Sequence, residues 1–330
     1  MQKNSEPNNF FMRLGTWYVQ VGLLVIVVAI TYGHTLDVPF YLDDFSSIQE
    51  NPVIYNWQGT YAELWQFAAL RIVGYLSFAF NYQIHQFQVA GYHVVNIIIH
   101  LLAGGAILVL LRGLVRTPAL HPLLSEDAKR LLPIVVALIF VLHPLQIQGV
   151  TYIVQRLASL AALFYIATMA CFIQARLTAG WLRRSLWILA CILLALLAFF
   201  TKQNTVTLPI ALLLLELIFF PGHKTRLILT GVVALFGLGI AWFILAWVFK
   251  QDPFSLQAMQ ALTRETTAIS RTSYLATQMS VLWTYIGLFL WPLSSHIDYN
   301  YPITESFLYV NYNYHLVARL LHSEAIFALG

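Results

Sequence analysis

Charge is scarce in this chain. Asp, Glu, Lys and Arg make up 10% of its 330 residues, against 59% hydrophobic, and the mean hydropathy is +0.72. A soluble globular domain of this size has too little charge here for its surface, so that class is excluded. Cysteine is scarce too. Cys171 and Cys191 both fall in apolar segments, which argues against a disulfide framework and leaves the redox compartment unread. No internal repeat, low-complexity tract or soluble domain is visible. The first apolar segment lacks a small-residue cleavage site and more spans follow, so it reads as a retained helix. The net charge of +4 is no nucleic-acid footprint, because the basic residues sit in short clusters between apolar runs.

Long apolar runs dominate instead. They predict an all-α, polytopic membrane protein with helical spans at about 17–36, 92–111, 132–150, 152–175, 185–201, 204–220 and 227–249. An eighth apolar stretch, 274–292, spans or lies along the surface. Lys3 and Arg13 precede the first span. Arg112, Arg116, Lys129 and Arg130 separate the second and third, Arg176, Arg183 and Arg184 the fourth and fifth, and Lys224 and Arg226 the sixth and seventh. With alternating spans these clusters share one side, which predicts a cytoplasmic amino terminus. Asp43-Asp44, His143–Gly149, Thr201–Asn204 and residues 250–272 then lie on the opposite face. The first outer loop, 37–91, is too long for a connector. Its Trp57, Trp65, Phe67, Tyr75, Phe78, Phe80 and Tyr82 alternate with polar residues, as in stretches that lie at headgroup level.

Two carboxylates emerging together at the membrane face, Asp43 and Asp44, point to acid/base chemistry on something held in the lipid. The other reading is a loop or N-cap pair for a helix at Ser46–Asn51. His93, Asn96 and His100 fall on one stripe of the second span, with interhelical hydrogen bonding favoured over metal ligation. Glu216 lies about 18 Å below Asn204, nearer the basic side, in a packing or snorkelling role.

Six strings in register carry a family resemblance: FYLDDFSSIQENP, LRIVGYLSFAFNY, GYHVVNIIIHLL, FVLHPLQIQGVTYIVQRLASLAALFY, FFTKQNTVTLPIALLLLEL and LFLWPLSSHIDYNYP. From about residue 30 to 303 the chain resembles the membrane part of TMTC-type (transmembrane and tetratricopeptide-repeat-containing) protein O-mannosyltransferases and their bacterial relatives, of the GT-C superfamily. The resemblance implies a single GT-C-like transmembrane domain over 1–330. It also implies inverting transfer of a sugar, often mannose, from a polyprenyl- or dolichyl-phosphate donor to a protein or glycan hydroxyl on the extracytoplasmic face. The wording of the motifs points to a bacterial inner membrane.

By this resemblance Asp43, ahead of Asp44, is the catalytic base. Arg71, with Lys202 and Arg156, would hold the donor phosphate, since guanidinium and ammonium groups suit phosphate oxygens. Binding of bulk headgroups by Arg71, and snorkelling of Lys202 and Arg156, are the alternatives. His143 and Gln148 in the His-Pro loop, and Asp298, would orient the acceptor or the base; a helix-ending His before Pro144 is the plain alternative. No metal ligands or firm cofactor are implied, a divalent metal stays open, and membrane lipid is a partner whereas nucleic acid is not.

The chain departs from the family pattern in places. Relatives read Arg-Pro-Leu at Arg71-Ile72-Val73, Glu at Gln148, Lys-Glu at Lys202-Gln203, and often arginines at Ser280 and Gly287. They continue into further spans and tetratricopeptide repeats beyond the position of Gly330, so a truncated or degenerate member is also expected. Two other readings stay open: an inactive relative that binds lipid or a membrane partner, and a lipid or solute transporter.

Overall fold

The computed structural model describes residues 16–55, 61–222, 224–248, 269–292 and 302–303. Lys3, Arg13, Trp57, Asp298 and most of the 250–272 loop lie outside the described residues. The chain divides into two compact units, 1–244 and 245–330.

The first unit is helical among its described residues. α1 spans Trp17–Tyr32, and the first loop folds into α2 (Tyr61–Ala68) and α3 (Ile72–His85). α4 (Val89–Leu114), α5 (Glu126–Leu142), a short α6 (Gln146–Thr151), α7 (Arg156–Leu177), α8 (Trp181–Phe199) and α9 (Leu208–Phe219) follow, then α10 (Lys224–Val248), which runs past the unit boundary. The second unit contains α11 (Arg271–Leu290), N-capped by Ser270, whose Oγ accepts the Ser273 amide at 3.1 Å.

Among the described residues five helical stretches are long and apolar enough to cross a membrane: Trp17–Thr35, Val89–Leu114, Ile153–Leu177, Trp181–Phe199 and Arg226–Val248. Two expected spans are shorter than predicted. The span placed at 132–150 ends at Leu142, because His143 turns extended (ψ 128°) ahead of Pro144. The one placed at 204–220 opens with a 3₁₀ turn, Gln203–Thr207, and leaves a 12-residue helix of about 18 Å.

α4 is the central post. Its buried residues Tyr92, Asn96, Ile99, Ala103 and Gly104 recur at helical spacing. Small residues set its close approaches: a Cβ on Gly104 would lie 2.5 Å from Val141 of α5, and one on Gly113 2.6 Å from Ile173 of α7. Leu24, Val28, Leu108, Ile134, Ala137 and Val141 form the core between α1, α4 and α5. A second core joins the first loop to the start of α7 through Phe40, Ile48, Tyr75, Phe78, Tyr92, Ile153 and Leu157. A third, of Leu110, Leu114, Ala170, Ile173 and Phe220, closes the basic end. The aromatic first loop is thus packed onto the bundle: α3 buries Tyr75, Phe78 and Ala79 and exposes Phe80 and Ile84.

The polar stripe of α4 works as predicted, by bonding neighbouring segments. His93 Nε2 donates to the Val38 carbonyl at 2.8 Å and His100 Nε2 to that of Val141 at 3.1 Å. Asn96 Nδ2 donates to Val150 at 3.2 Å and Ile153 at 3.4 Å. Glu216 pairs with both donor edges of Arg176, at 2.6 and 2.8 Å.

Candidate functional site

The acid pair sits in a turn that the backbone enters under strain. Leu42 has φ +49°, a left-handed conformation costly for a bulky residue, and the amides of Asp44 and Phe45 close the turn onto the carbonyls of Tyr41 and Leu42. The two carboxylates then part company. Asp44 is fully buried; its Oδ1 accepts the Val154 amide at 2.7 Å and its Oδ2 the Tyr41 amide at 3.3 Å. The Asp43 side chain is exposed, while its backbone N–H donates to the Tyr152 hydroxyl at 2.9 Å. Tyr41 stacks on Tyr152 with ring centroids 4.6 Å apart, so the acid loop is pinned to the chain just before α7.

Burial pushes the Asp44 carboxyl up to about 6. The amides of Val154, Tyr41 and Ile153 oppose that rise, and the Asp43 charge adds to it. The Tyr152 phenol is pushed up to about 12, chiefly by burial, so it keeps its proton at neutral pH. Sequence reasoning passed over Tyr152; a lone tyrosine in the His-Pro string carries no signal until its ring is seen against the acid loop.

The same end of the bundle gathers two more predicted positions. Arg71 ends a 3₁₀ turn (Ala69–Arg71) that leads into α3; its side chain is exposed and makes no hydrogen bond or ion pair among the described residues. Two residues on, the Val73 amide donates to the Phe200 carbonyl at 3.1 Å, and Trp65 lies against Phe200 at 6.0 Å. This ties the Arg71 segment to the turn that carries Lys202. Half-buried Lys202 caps the Gln203–Thr207 turn, its carbonyl accepting from Thr205 N and Oγ1. Two buried side-chain atoms, His93 Nδ1 and Gln203 Oε1, have no hydrogen-bond partner among the described residues.

Arg156 does not fit the phosphate-binding role expected for it. It is fully buried, with Nε donating to Asn96 Oδ1 at 2.6 Å, Nη1 to the Ser77 carbonyl at 3.2 Å, and Nη2 to Asn81 Oδ1 at 2.8 Å and the Tyr92 carbonyl at 3.0 Å. Its Cζ lies 4.5 Å from the Phe78 ring centroid. Such a guanidinium holds α3, α4 and α7 together and is closed to a ligand. His143 caps its own turn, with Nδ1 accepting the Leu145 amide at 3.2 Å. Gln148 is exposed on α6.

An apolar cavity of about 590 Å³ lies between α7, α8, α9 and α10. Phe172, Ile188, Leu196 and Val233 line it, and it reaches Phe199 and Thr205 beside the Lys202 turn. Among the described residues no three His, Cys, Asp or Glu side chains cluster as a metal site would require.

No family model and no solved structure matches the chain. Among curated proteins it is similar to mouse Protein O-mannosyl-transferase TMTC3, with 24% identity over 171 residues. That alignment covers 48% of this chain and 17% of the mouse protein, so the chain spans a small part of the relative it matches. The similarity supports a TMTC-like, glycosyltransferase-like membrane protein.

Proposed function

We propose that the chain is the membrane part of an inverting glycosyltransferase. It moves a sugar, in the mannose class, from a polyprenyl-phosphate donor to a hydroxyl, most simply a protein Ser or Thr, on the extracytoplasmic face of a bacterial inner membrane, with its amino terminus in the cytoplasm. The observation that carries this reading is the division of labour in the acid pair. Asp44 is committed to backbone amides, which leaves the Asp43 carboxylate exposed at the bundle end.

In this scheme the acceptor oxygen attacks the anomeric carbon as its proton passes to Asp43. The bond from that carbon to the phosphate oxygen breaks, and the electron pair leaves on the polyprenyl phosphate. Arg71 and Lys202 would offset the charge that builds on the phosphate. The apolar cavity beside the Lys202 turn suits the prenyl chain, and the unsatisfied Gln203 Oε1 suits a polar group of the ligand. The Tyr152 hydroxyl holds the Asp43 backbone and so positions the base.

The test is transfer of labelled mannose from a polyprenyl-phosphate donor to a hydroxyl acceptor, wild type against Asp43→Asn. The variant should lose roughly 10²–10⁴-fold in rate with an unchanged unfolding temperature. Transfer that survives the substitution overturns the assignment of the base. The non-ionisable Gln148, where relatives carry Glu, favours a second reading, lipid binding without transfer. Wild-type protein that binds the donor and yields no product would select it.

A further inference from the structure

The opposite end of the first unit holds a cationic cleft of about 440 Å³, lined among others by Arg116, His121, Arg176, Phe220 and Arg226. It lies at the last turns of α4, α7 and α9 and the first turn of α10, a helix length of about 30 Å from the end that carries Asp43. Its acids are already answered. Glu216 is held by Arg176, and Glu126 by Lys129 at 2.8 Å. Lys129 Nζ also sits 3.3 Å from His121 Nε2. An ammonium can only donate, so that nitrogen accepts and the His121 proton lies on Nδ1. Arg116 and Arg226 are exposed, and their side chains make no hydrogen bond or ion pair among the described residues. Arg176, fixed by Glu216 and by the Phe220 ring 4.3 Å from its Cζ, keeps Nη1 without a partner there. The cleft therefore joins two uncommitted guanidinium groups to a third locked in place.

We propose that this cleft binds the phosphate of an anionic membrane lipid headgroup. The charge left after pairing is positive, guanidinium groups match phosphate oxygens, and the volume falls in the range of small-ligand sites. The source is a lipid because the cleft sits where the spanning helices end, at headgroup depth, between helices rather than on a loop tip.

The experiment uses the full chain in nanodiscs of phosphatidylcholine doped with phosphatidylglycerol, with retained lipid counted by native mass spectrometry after release into detergent. Arg116→Gln/Arg226→Gln should lower phosphatidylglycerol retention roughly thirtyfold, from about fivefold per basic residue at a membrane surface. Arg183→Gln/Arg184→Gln makes the same charge change at α8, outside the cleft, and should leave retention within about twofold. Equal loss in both pairs, or loss in neither, overturns the site. Binding of glycerol phosphate that depends on Arg116 and Arg226, without selective retention of phosphatidylglycerol, overturns the lipid source in favour of a soluble phosphate. Should the Arg116/Arg226 pair fail to fold, each single substitution carries the same comparison at about fivefold.

Discussion

The two ends of the bundle treat buried charge in opposite ways. At the acid end, Arg156 and Asp44 are both fully buried, and each is satisfied by neutral partners: side-chain amides and carbonyls for the arginine, backbone amides for the carboxylate. At the basic end, buried Glu216 meets Arg176 directly through two hydrogen bonds. A salt bridge needs one partner at one place. A buried ion held by dipoles needs several segments in register at once. The acid end is therefore the more exacting construction, and it leaves Asp43 and Arg71 exposed and uncommitted, as a working site requires.

The comparison breaks first at Arg156. Arg156→Met removes the shared donor of Asn96, Asn81, Ser77 and Tyr92 and strands buried acceptors. The cost should reach about 4 kcal/mol or more, read as thermal unfolding in detergent. A loss below about 1 kcal/mol would mean that the neutral network holds nothing together.

Asp44 gives the next effect, through pH. Folded, its carboxyl keeps a proton up to about pH 6, against the usual 3.8. The folded state thus binds more protons than the unfolded in that window. Stability falls as pH rises through it and levels off above, by an amount of order 3 kcal/mol. The difference in unfolding temperature between wild type and Asp44→Asn should shift toward wild type on acidification from neutral to pH 4. A difference that stays constant over this range argues that the carboxyl is not held in its neutral form.

Glu216→Gln sharpens the other side. It leaves Arg176 without its counter-ion, but the arginine side chain keeps 19% exposure and can draw on water, so the loss should be about 2 kcal/mol, smaller than at Arg156. The smallest effect belongs to the capped start of α5, where Ser125 Oγ accepts the Ala128 amide at 3.2 Å. Ser125→Ala should cost about 1 kcal/mol, with no change in lipid retention or sugar transfer.

Much of this was readable beforehand. The apolar runs gave α1, α4, α7, α8 and α10, because a helix in lipid needs little beyond length and hydrophobicity. The 93/96/100 stripe announced interhelical hydrogen bonds, since spacing alone puts those groups on one face. Arg156 was misread because it sits at a helix start, where an isolated arginine would snorkel; its partners lie 60 to 79 residues away. Tyr152 was missed for the same cause, its contact with Asp43 spanning 109 residues.

By itself, the sequence determined that this chain crosses a membrane as helices and that its basic residues gather at their ends, since length, apolarity and charge clustering are local properties. Only the tertiary structure decided which of Asp43 and Asp44 is buried, which arginines are locked and which are open. That depends on donors and acceptors brought from distant segments, and a charge has no burial until those segments close around it.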